Sequence, residues 1–349
     1  MRTTRVPLIS FIVPVYNAER TLHDCVCSIT KQSFGSIEII LVNNCSIDGS
    51  LQKCNELAKA DERIKVVDIA EKGVSAARNR GIDLATGEFV TFVDADDWID
   101  ANVCEIFANL NVKNDYDLFC YSAQYHNGKN TVSSYLFSDS VVLFSQEQKE
   151  ELQIKVFAPN APYFKYKTNS RYVGSVWGKF YKREILLKNN LRFATETIIS
   201  EDVLFNTLTL DKFHRIGYTR DCFYHYIQQG GSAQNRCRPN SDKYFSFVIG
   251  EIQGWLLHTK KDSRFIDAAS SLFIHYLFGI LKEDLFHKDN KASLNSRCLG
   301  LRKILSQEKY FDLLERANKN FFSLPEKILI FLLQHKFCKL LSLLLRLYL

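Results

Sequence analysis

The sequence predicts an α/β fold in which a mostly parallel sheet is flanked by helices and followed by a helical C-terminal region. Short apolar runs alternate with segments of helical periodicity over the first hundred residues, an order typical of βαβ units. From about residue 240 onward the pattern is helical. The length of 349 residues leaves room for two domains. We therefore expect an α/β domain over 1–235 and a helical region over 236–349.

The first strand is predicted from an apolar run, which indicates a strand that is covered on both faces. Between the runs, apolar residues recur at helical spacing, as do Leu22, Val26 and Ile29. The predicted strands are Leu8–Val13, Ile37–Val42, Ile64–Val67 and Glu88–Val93. A further strand is predicted at Asp117–Tyr121, whereas 122–172 has no regular pattern.

The composition is that of a mildly basic globular protein. The chain has 45 Lys and Arg against 39 Asp and Glu, which is compatible with an anionic ligand or membrane surface. We expect no nucleic-acid partner, because this charge balance alone does not indicate one. Ten cysteines without a CxxC pair favour free thiols in a reducing cytosol. A dehydrogenase and a P-loop enzyme are disfavoured, because neither GxGxxG after a strand nor GxxxxGK[ST] occurs.

The stretch 326–349 predicts an amphipathic basic helix. Leu, Ile and Phe dominate it. One narrow polar stripe is formed by His335, Lys339, Ser342 and Arg346. Because cationic helices of this kind can lie among the headgroups of an anionic membrane, we expect a peripheral protein on the cytoplasmic face of the cell membrane. The alternative is a helix that docks on its own domain or in a homo-oligomer interface.

Polar side chains follow three of the predicted strands. They are Asn17 after the first strand, Asn43 and Asn44 after the second, and Asp94 and Asp96 after the fourth. Ligands of parallel sheets bind at the carboxyl ends of the strands, so these side chains are expected to converge on one site. Residues i and i+2 of an extended segment point the same way, so Asp94 and Asp96 can together address a hard cation.

Four blocks of sequence carry a resemblance to a known family. They are PVYN at 14–17, VNNCSIDGS at 42–50, GVSAARNRG at 73–81 and FVDADD at 92–97. In this order and spacing the blocks resemble glycosyltransferase family 2. The resemblance implies a GT-A fold, which is a Rossmann-like sheet flanked by helices. It also implies a nucleotide-sugar donor, a divalent metal, inversion at the anomeric carbon and a place in bacterial surface-polysaccharide synthesis.

The resemblance assigns the metal site to the fourth block. Asp96 and Asp94 would bind Mn²⁺ or Mg²⁺ at the donor diphosphate, and His225 would complete the metal shell. Asp97 is interpreted instead as a residue that caps the following helix.

A second acidic pair is expected to act on the acceptor. Inverting transfer needs a base that takes the proton of the acceptor hydroxyl, and Asp202 matches that base in the family. Glu201 would orient the acceptor. Trp177, in a Trp-x-Lys block upstream, offers a flat face for an acceptor sugar.

The residues expected to bind the donor lie in all of these blocks. They are Pro14, Tyr16, Asn17, Glu19, Asn43, Asn44, Arg78, Asp94 and Lys179. Asn43 and Asn44 stand where the family commonly has paired aspartates. An Asn carbonyl can accept from uracil and an Asn amide can adapt to cytosine, so both bases stay open. A UDP-sugar is the favoured donor.

We therefore predict an inverting, metal-dependent glycosyltransferase of the hexosyltransferase type that acts on a hydroxyl of a glycan or lipid-linked acceptor. Two alternatives remain. A sugar nucleotidyltransferase usually needs a Gly-rich basic loop after the first strand, where this chain has Asn17-Ala18-Glu19-Arg20. A non-catalytic glycan-binding relative is suggested by the replacement of both aspartates by Asn43 and Asn44.

Overall fold

The structure is a computed structural model that describes residues 8–128, 130–166, 168, 173–228 and 237–348. The chain divides into two compact units. The first comprises Met1–Val156 with Thr168–Gln229, and the second comprises Phe157–Lys167 with Gly230–Leu349. Residues 157–167 thus group with the second unit, although the sequence pattern includes them in 1–235. The domain boundary itself stays a prediction.

The described strands of the first unit form one nine-stranded sheet. They are β1 (Ile9–Val15), β2 (Ile37–Asn44), β3 (Ile64–Ile69), β4 (Phe89–Phe92), β5 (Trp98–Ile99), β6 (Leu118–Asn127), β7 (Asn130–Ser134), β8 (Lys179–Lys182) and β9 (Ile216–Ile227). Their order is β3-β2-β1-β4-β8-β6-β9-β5, with β7 paired to β6. The first four predicted strands are confirmed as β1 to β4, which pair in parallel. Beyond β4 the pairing is mixed, since β8 is antiparallel to both neighbours.

The helices up to residue 210 connect these strands. They are α1 (Leu22–Thr30), α2 (Ser50–Ala60), α3 (Val74–Leu84), α4 (Val103–Asn114), α5 (Gln146–Phe157), α6 (Arg183–Lys188) and α7 (Glu201–Leu210). Helix α1 buries Leu22, Val26 and Ile29, as their spacing predicts. Helix α3 packs tightly on β1 at Gly81, where a Cβ atom would lie 2.3 Å from Cγ2 of Ile12. Glycine at this position therefore allows α3 to approach the sheet.

The stretch 122–172, expected to be irregular, contains regular structure. Strand β6 continues to Asn127 and forms a hairpin with β7. The hairpin has no clear apolar alternation because four of the five β7 residues are exposed. Helix α5 follows in the same stretch.

The described residues of the second unit are helical, as predicted. The α-helices are α8 (Ser241–Thr259), α9 (Ser263–Ile280), α10 (Leu294–Leu305), α11 (Glu308–Glu315), α12 (Leu324–Gln334) and α13 (Cys338–Tyr348). With the π-helical turn that follows it, α9 makes a 23-residue helix that is long and apolar enough to cross a membrane. Its most apolar window is 56% buried inside the protein, as in the core helix of a globular unit.

The prediction of one continuous helix over 326–349 is wrong. Helix α12 ends at Gln334 and α13 begins at Cys338. Between them Lys336 has a φ of +56°, in the left-handed region that ends a helix. The predicted polar stripe is therefore interrupted, because His335 follows the end of α12 whereas Lys339 and Ser342 lie on α13. The side chain of Arg346 lies outside the described residues.

The prediction that all cysteines are free thiols is also wrong. Cys298 of α10 and Cys338 of α13 form a disulfide across 40 positions of sequence. The other eight cysteines are free, as expected. Scattered cysteines carry no local spacing signal, so this pair could not be read from the sequence.

Candidate active site

Three aspartates follow β4 at the carboxyl edge of the parallel strands. The side chain of Asp94 is partly exposed, that of Asp96 is exposed and that of Asp97 is buried. Since β1, β2 and β4 are parallel neighbours, these aspartates lie at the same edge as Asn43 at the end of β2. Partial desolvation within the site and the charge of Asp94 raise the pKa of Asp96 to about 6.

Asp97 does not cap a helix, which corrects the sequence prediction. Its carboxylate accepts hydrogen bonds from the Tyr224 hydroxyl at 2.6 Å and the Ile227 N–H at 2.8 Å, both on β9. The Tyr224 oxygen in turn accepts from the N–H of Asp94 at 3.1 Å. Burial, followed by the charges of Asp94 and Asp96, raises the pKa of Asp97. Tyr224 was missed because no sequence pattern links residues 127 positions apart.

The second acidic centre opens helix α7, as predicted. Ser200, directly before the helix, has a φ of +56°, a conformation that residues other than glycine seldom adopt. Glu201 and Asp202 occupy the first turn, where the helix dipole favours carboxylates. The Asp202 Oδ1 atom accepts a hydrogen bond from the N–H of Val203 at 2.8 Å.

Arg78 of α3 joins the two acidic centres. Its Nη2 atom lies 3.2 Å from Asp94 Oδ1, and its Nη1 atom lies 3.1 Å from Glu201 Oε1. The guanidinium is buried, and its Nε has no hydrogen-bond partner among the described residues. Burial acts to lower the pKa of Arg78, but the charges of Asp94 and Glu201 outweigh it and raise that pKa. One cation thus holds acidic residues that are far apart in sequence at a single site.

The pKa of Asp202 lies near neutral pH. Burial and the negative charge of Glu201 raise the pKa of Asp202 to about 7, although Arg78 and the Val203 N–H act in the opposite direction. At pH 7 a carboxyl group with such a pKa is deprotonated in about half of the molecules. General-base catalysis is most efficient when the pKa of the base lies near the working pH.

The residues after β1 support a neighbouring loop. The Asn17 side-chain oxygen accepts from the N–H of Ile47 at 2.9 Å, and Glu19 Oε2 accepts from the N–H of Gly49 at 3.1 Å. These bonds tie the end of β1 to the start of α2. Tyr16 is 58% exposed and keeps its ring open to a ligand.

Two further residues of the expected donor site have structural roles. The pairing of β1 with β4 ends at Ile12, before Pro14. Proline has no N–H to donate, but at this position it interrupts no hydrogen bond between the two strands. Asn44 donates to the carbonyl of Glu71 and accepts from the N–H of Gly73 at 2.8 Å. It therefore fixes the loop that leads into α3.

Asn43 presents a fixed amide. Its Nδ2 atom donates to Asp68 Oδ1, at the end of β3, with a distance of 2.7 Å. The Asn43 side chain is 2% exposed, and its Oδ1 has no hydrogen-bond partner among the described residues. An ionised carboxylate can accept hydrogen bonds but cannot donate them, so Asp68 binds the NH₂ group of the Asn43 amide. The oxygen of that amide is left without a donor.

His225 does not have the surroundings expected of a metal ligand. Its Nδ1 is 2.9 Å from His126 Nε2, and its Nε2 is 3.1 Å from Asp100 Oδ1. Its ring also stacks on Trp98, with ring centroids 3.4 Å apart. Both ring nitrogens are thus engaged, and we leave His225 out of the candidate metal site.

Trp177 and Lys179 are buried, although the sequence predicts that Trp177 contacts the acceptor sugar and that Lys179 binds the donor. Trp177 is 5% exposed and stacks on Tyr224 at a centroid distance of 4.3 Å. The Lys179 ammonium donates to the carbonyl of Ser175 at 2.6 Å. Burial lowers the pKa of Lys179 to about 8. Both residues support the walls of the site from within the core.

Comparisons with known proteins identify the family and the fold of the chain. The model of the family described as "Glycosyl transferase family 2" matches residues 10–187. EpsH of Bacillus subtilis, named as a glycosyltransferase, is 30% identical over 223 residues, or 63% of this chain and 60% of EpsH. The poly(ribitol-phosphate) beta-glucosyltransferase of Bacillus spizizenii is 26% identical over 223 residues, or 63% of this chain and 32% of that enzyme. The chain thus spans less than two thirds of the length of these relatives.

Solved structures share the fold. The crystal structure of S. aureus TarS 1-349 in complex with UDP-GlcNAc has a TM-score of 0.65 at 20% identity, covering 97% of this chain and 91% of that one. The mannosyltransferase PcManGT from Pyrobaculum calidifontis, in complex with GDP-Man and Mn²⁺, has a TM-score of 0.51 at 15% identity, covering 96% and 86%. The predicted GT-A fold is confirmed. With its family blocks, its fold and the match over 10–187 in agreement, the chain belongs to glycosyl transferase family 2.

Proposed function

We propose that the protein is an inverting, metal-dependent glycosyltransferase. It transfers a sugar from a UDP-sugar to a hydroxyl of a glycan or lipid-linked acceptor in bacterial surface-polysaccharide synthesis. The observation that carries the proposal is the bridge from Asp94 through Arg78 to Glu201, since it unites a carboxylate of the donor side with the helix that bears the base. Relatives named as glycosyltransferases and the UDP-GlcNAc complex of TarS support it.

The donor base is uracil in this proposal. The buried Asn43 Oδ1 lacks a hydrogen-bond donor, and uracil offers one at N3–H where cytosine has an acceptor. Asp68 prevents the amide from turning to suit cytosine, because it holds the NH₂ group. The exposed ring of Tyr16 offers a surface on which the base can stack.

Mn²⁺ or Mg²⁺ fits the carboxylates at the end of β4. No group of three or more His, Cys, Asp or Glu suited to a metal occurs within the part of the chain that the structure describes. Asp96 and Asp94 provide two hard oxygen ligands, and magnesium sites commonly combine one or two carboxylates with substrate phosphates. When bound, such an ion would neutralise negative charge on the departing diphosphate. Arg78 limits the repulsion between Asp94 and Glu201 throughout.

Asp202 acts as the base in this proposal. The acceptor hydroxyl gives its proton to the Asp202 carboxylate as its oxygen bonds to the anomeric carbon. The bond from that carbon to the UDP oxygen breaks on the opposite side, which inverts the configuration. Glu201, held by Arg78, orients the acceptor and keeps the pKa of Asp202 near 7 through its charge.

The test combines ligand binding with one substitution. Titration calorimetry with UDP, CDP and GDP in Mn²⁺ should give measurable binding for UDP and the weakest binding for CDP. Asp202→Asn should lower the transfer of radiolabelled sugar by about 10²- to 10⁴-fold, the usual effect of removing a positioned base, and leave UDP binding nearly unchanged. Asp24→Asn, at a side chain that is 88% exposed on α1, is the matched control. Equal transfer by Asp202→Asn and wild type would eliminate the assigned base.

We also propose that 326–349 holds the protein on the cytoplasmic face of the cell membrane. Exposed apolar side chains on α12 and α13, among them Phe331 and Leu343, support this, as do the exposed Lys336 and Lys339. Flotation of the full chain with anionic vesicles tests the proposal, since a protein that stays at the bottom of the gradient has no such affinity.

A further inference from the structure

We infer that the second unit carries a binding site for the phosphate headgroup of an anionic phospholipid, between α10 and the start of α13. The inference rests on the proposed membrane association and names the lipid class and the residues that bind it. A cavity of about 630 Å³ lies there. The lining residues that matter are Leu299, Arg302, Lys336, Phe337, Lys339 and Leu340.

Three cations meet at this cavity without acidic partners. Arg302, Lys336 and Lys339 are exposed, and among the described residues none has a carboxylate oxygen within 4.0 Å. The stretches 294–307 and 327–349 contain no Asp or Glu at all. Three positive side chains around one cavity repel one another, so a bound anion stabilises the arrangement. An Arg guanidinium with two ammonium groups suits the oxygens of a phosphate.

Apolar side chains at the same cavity distinguish a lipid from a soluble anion. Leu299 is 65% exposed, Phe337 is 49% exposed and Leu340 is 48% exposed. A soluble phosphate would leave these side chains in water. A phospholipid joins a phosphate to acyl chains, so it can satisfy the cations and cover the apolar groups together.

The local fold holds the two sides of the cavity together. The disulfide from Cys298 to Cys338 links α10, which carries Arg302, to the first residue of α13. Lys336 lies in the turn before α13, and its left-handed backbone reverses the chain there. The two sides of the cavity are therefore next to each other before a ligand binds, which reduces the entropy lost on binding.

The experiment compares the intact chain and its variants by flotation with vesicles of phosphatidylglycerol and phosphatidylcholine. Wild type should float with vesicles that contain phosphatidylglycerol and not with pure phosphatidylcholine. The variant Arg302→Gln/Lys336→Gln/Lys339→Gln should bind about 100-fold more weakly, since each basic residue near an anionic surface contributes about fivefold.

Matched controls separate a defined site from general attraction between charges. The control variant removes three exposed lysines of the same unit, Lys288, Lys291 and Lys319. It should lose less than about threefold, because none of these three lysines lines the cavity. A second variant, Phe337→Ser, keeps every charge and should bind about tenfold more weakly through the loss of apolar burial.

Each other outcome overturns the inference in a distinct way. Equal losses in the two triple variants would mean that no defined site exists. Loss of binding in Arg302→Gln/Lys336→Gln/Lys339→Gln without any loss in Phe337→Ser would assign the cavity to a soluble anion, because the apolar side chains would then contribute nothing. A change of mass in Phe337→Ser by light scattering, with vesicle binding intact, would assign the surface to a second copy of the chain. Failure of wild type to float at all would refute the membrane proposal itself, whereas the transfer assay on Asp202→Asn stays independent of all these results.

Discussion

Restoring the aspartate that the family commonly has at position 43 should damage this protein. In the structure the Asn43 NH₂ group donates to Asp68 Oδ1 at 2.7 Å. The substitution Asn43→Asp would place a second carboxylate oxygen against the first. The pair could then persist only by holding a proton between them or by moving apart. Asp68 therefore makes the asparagine necessary in this chain.

The expected cost follows from the contact that is lost. A hydrogen bond to a charged group is worth about 1.5 to 3 kcal/mol, and the new repulsion between like charges adds to that loss. Asp68 is exposed, so solvent screens part of the repulsion. We expect Asn43→Asp to lower the free energy of unfolding by about 2 to 4 kcal/mol at pH 7 and to weaken UDP binding by about tenfold. The loss should shrink at acidic pH, where the pair can share a proton.

The assay is urea unfolding together with titration calorimetry of UDP in Mn²⁺. The double variant Asn43→Asp/Asp68→Asn exchanges the two partners and should recover most of the stability and of the UDP affinity. Asp68→Asn alone keeps a neutral hydrogen bond and should cost only about 1 kcal/mol. Tighter UDP binding by Asn43→Asp than by wild type, at unchanged stability, would refute the claim that Asp68 fixes the Asn43 amide.

Two further predictions concern pH. The transfer rate should rise with pH, with a midpoint near 7, the pKa of Asp202. Glu201→Gln removes a negative charge and should move that midpoint to lower pH by about one unit. An unchanged midpoint would show that the charge of Glu201 does not raise the pKa of Asp202. Hydrogen bonds from Lys65, Ser10 and Thr86 outweigh burial and lower the pKa of Glu38 to about 2. The resulting stability, about 3 kcal/mol, is present above the ordinary pKa near 4.3 and is lost as pH falls toward 2, so Glu38→Gln should flatten the acid limb of a urea-unfolding series.

The first half of the α/β unit could be predicted from the sequence because its signals are local. Strands β1, β2 and β4 are almost fully buried, so each is a mostly apolar run, whereas the edge strand β3 is only partly buried and carries Lys65 and Asp68. The carboxyl ends of parallel strands lie at the same edge of the sheet, and this predicted that Asp94 and Asp96 lie at the edge where ligands bind. The hairpin of β6 and β7 had no such signal, since its outer strand is polar and exposed.

Partners that are distant in sequence could not be predicted, because spacing says nothing about them. Arg78 was expected to contact the donor, and no motif indicated that it would bind Asp94 and Glu201. His225 lies in a recognisable aromatic segment, yet its contacts with His126 and Asp100 come from other strands and loops. Such contacts depend on how the sheet is assembled, so they require the structure.

The carboxyl groups of the site outnumber the cation that pairs with them. Asp94, Asp96 and Asp97 follow β4, and two more carboxyl groups open α7, whereas Arg78 is the cation that pairs with members of both sets. Burial raises the pKa values of Asp96 and Asp97, and the neighbouring carboxylates that one cation cannot neutralise raise them further. A divalent cation would relieve that excess and allow these groups to ionise together. The same excess that is unfavourable in the protein alone would therefore favour the divalent cation that we propose for this site.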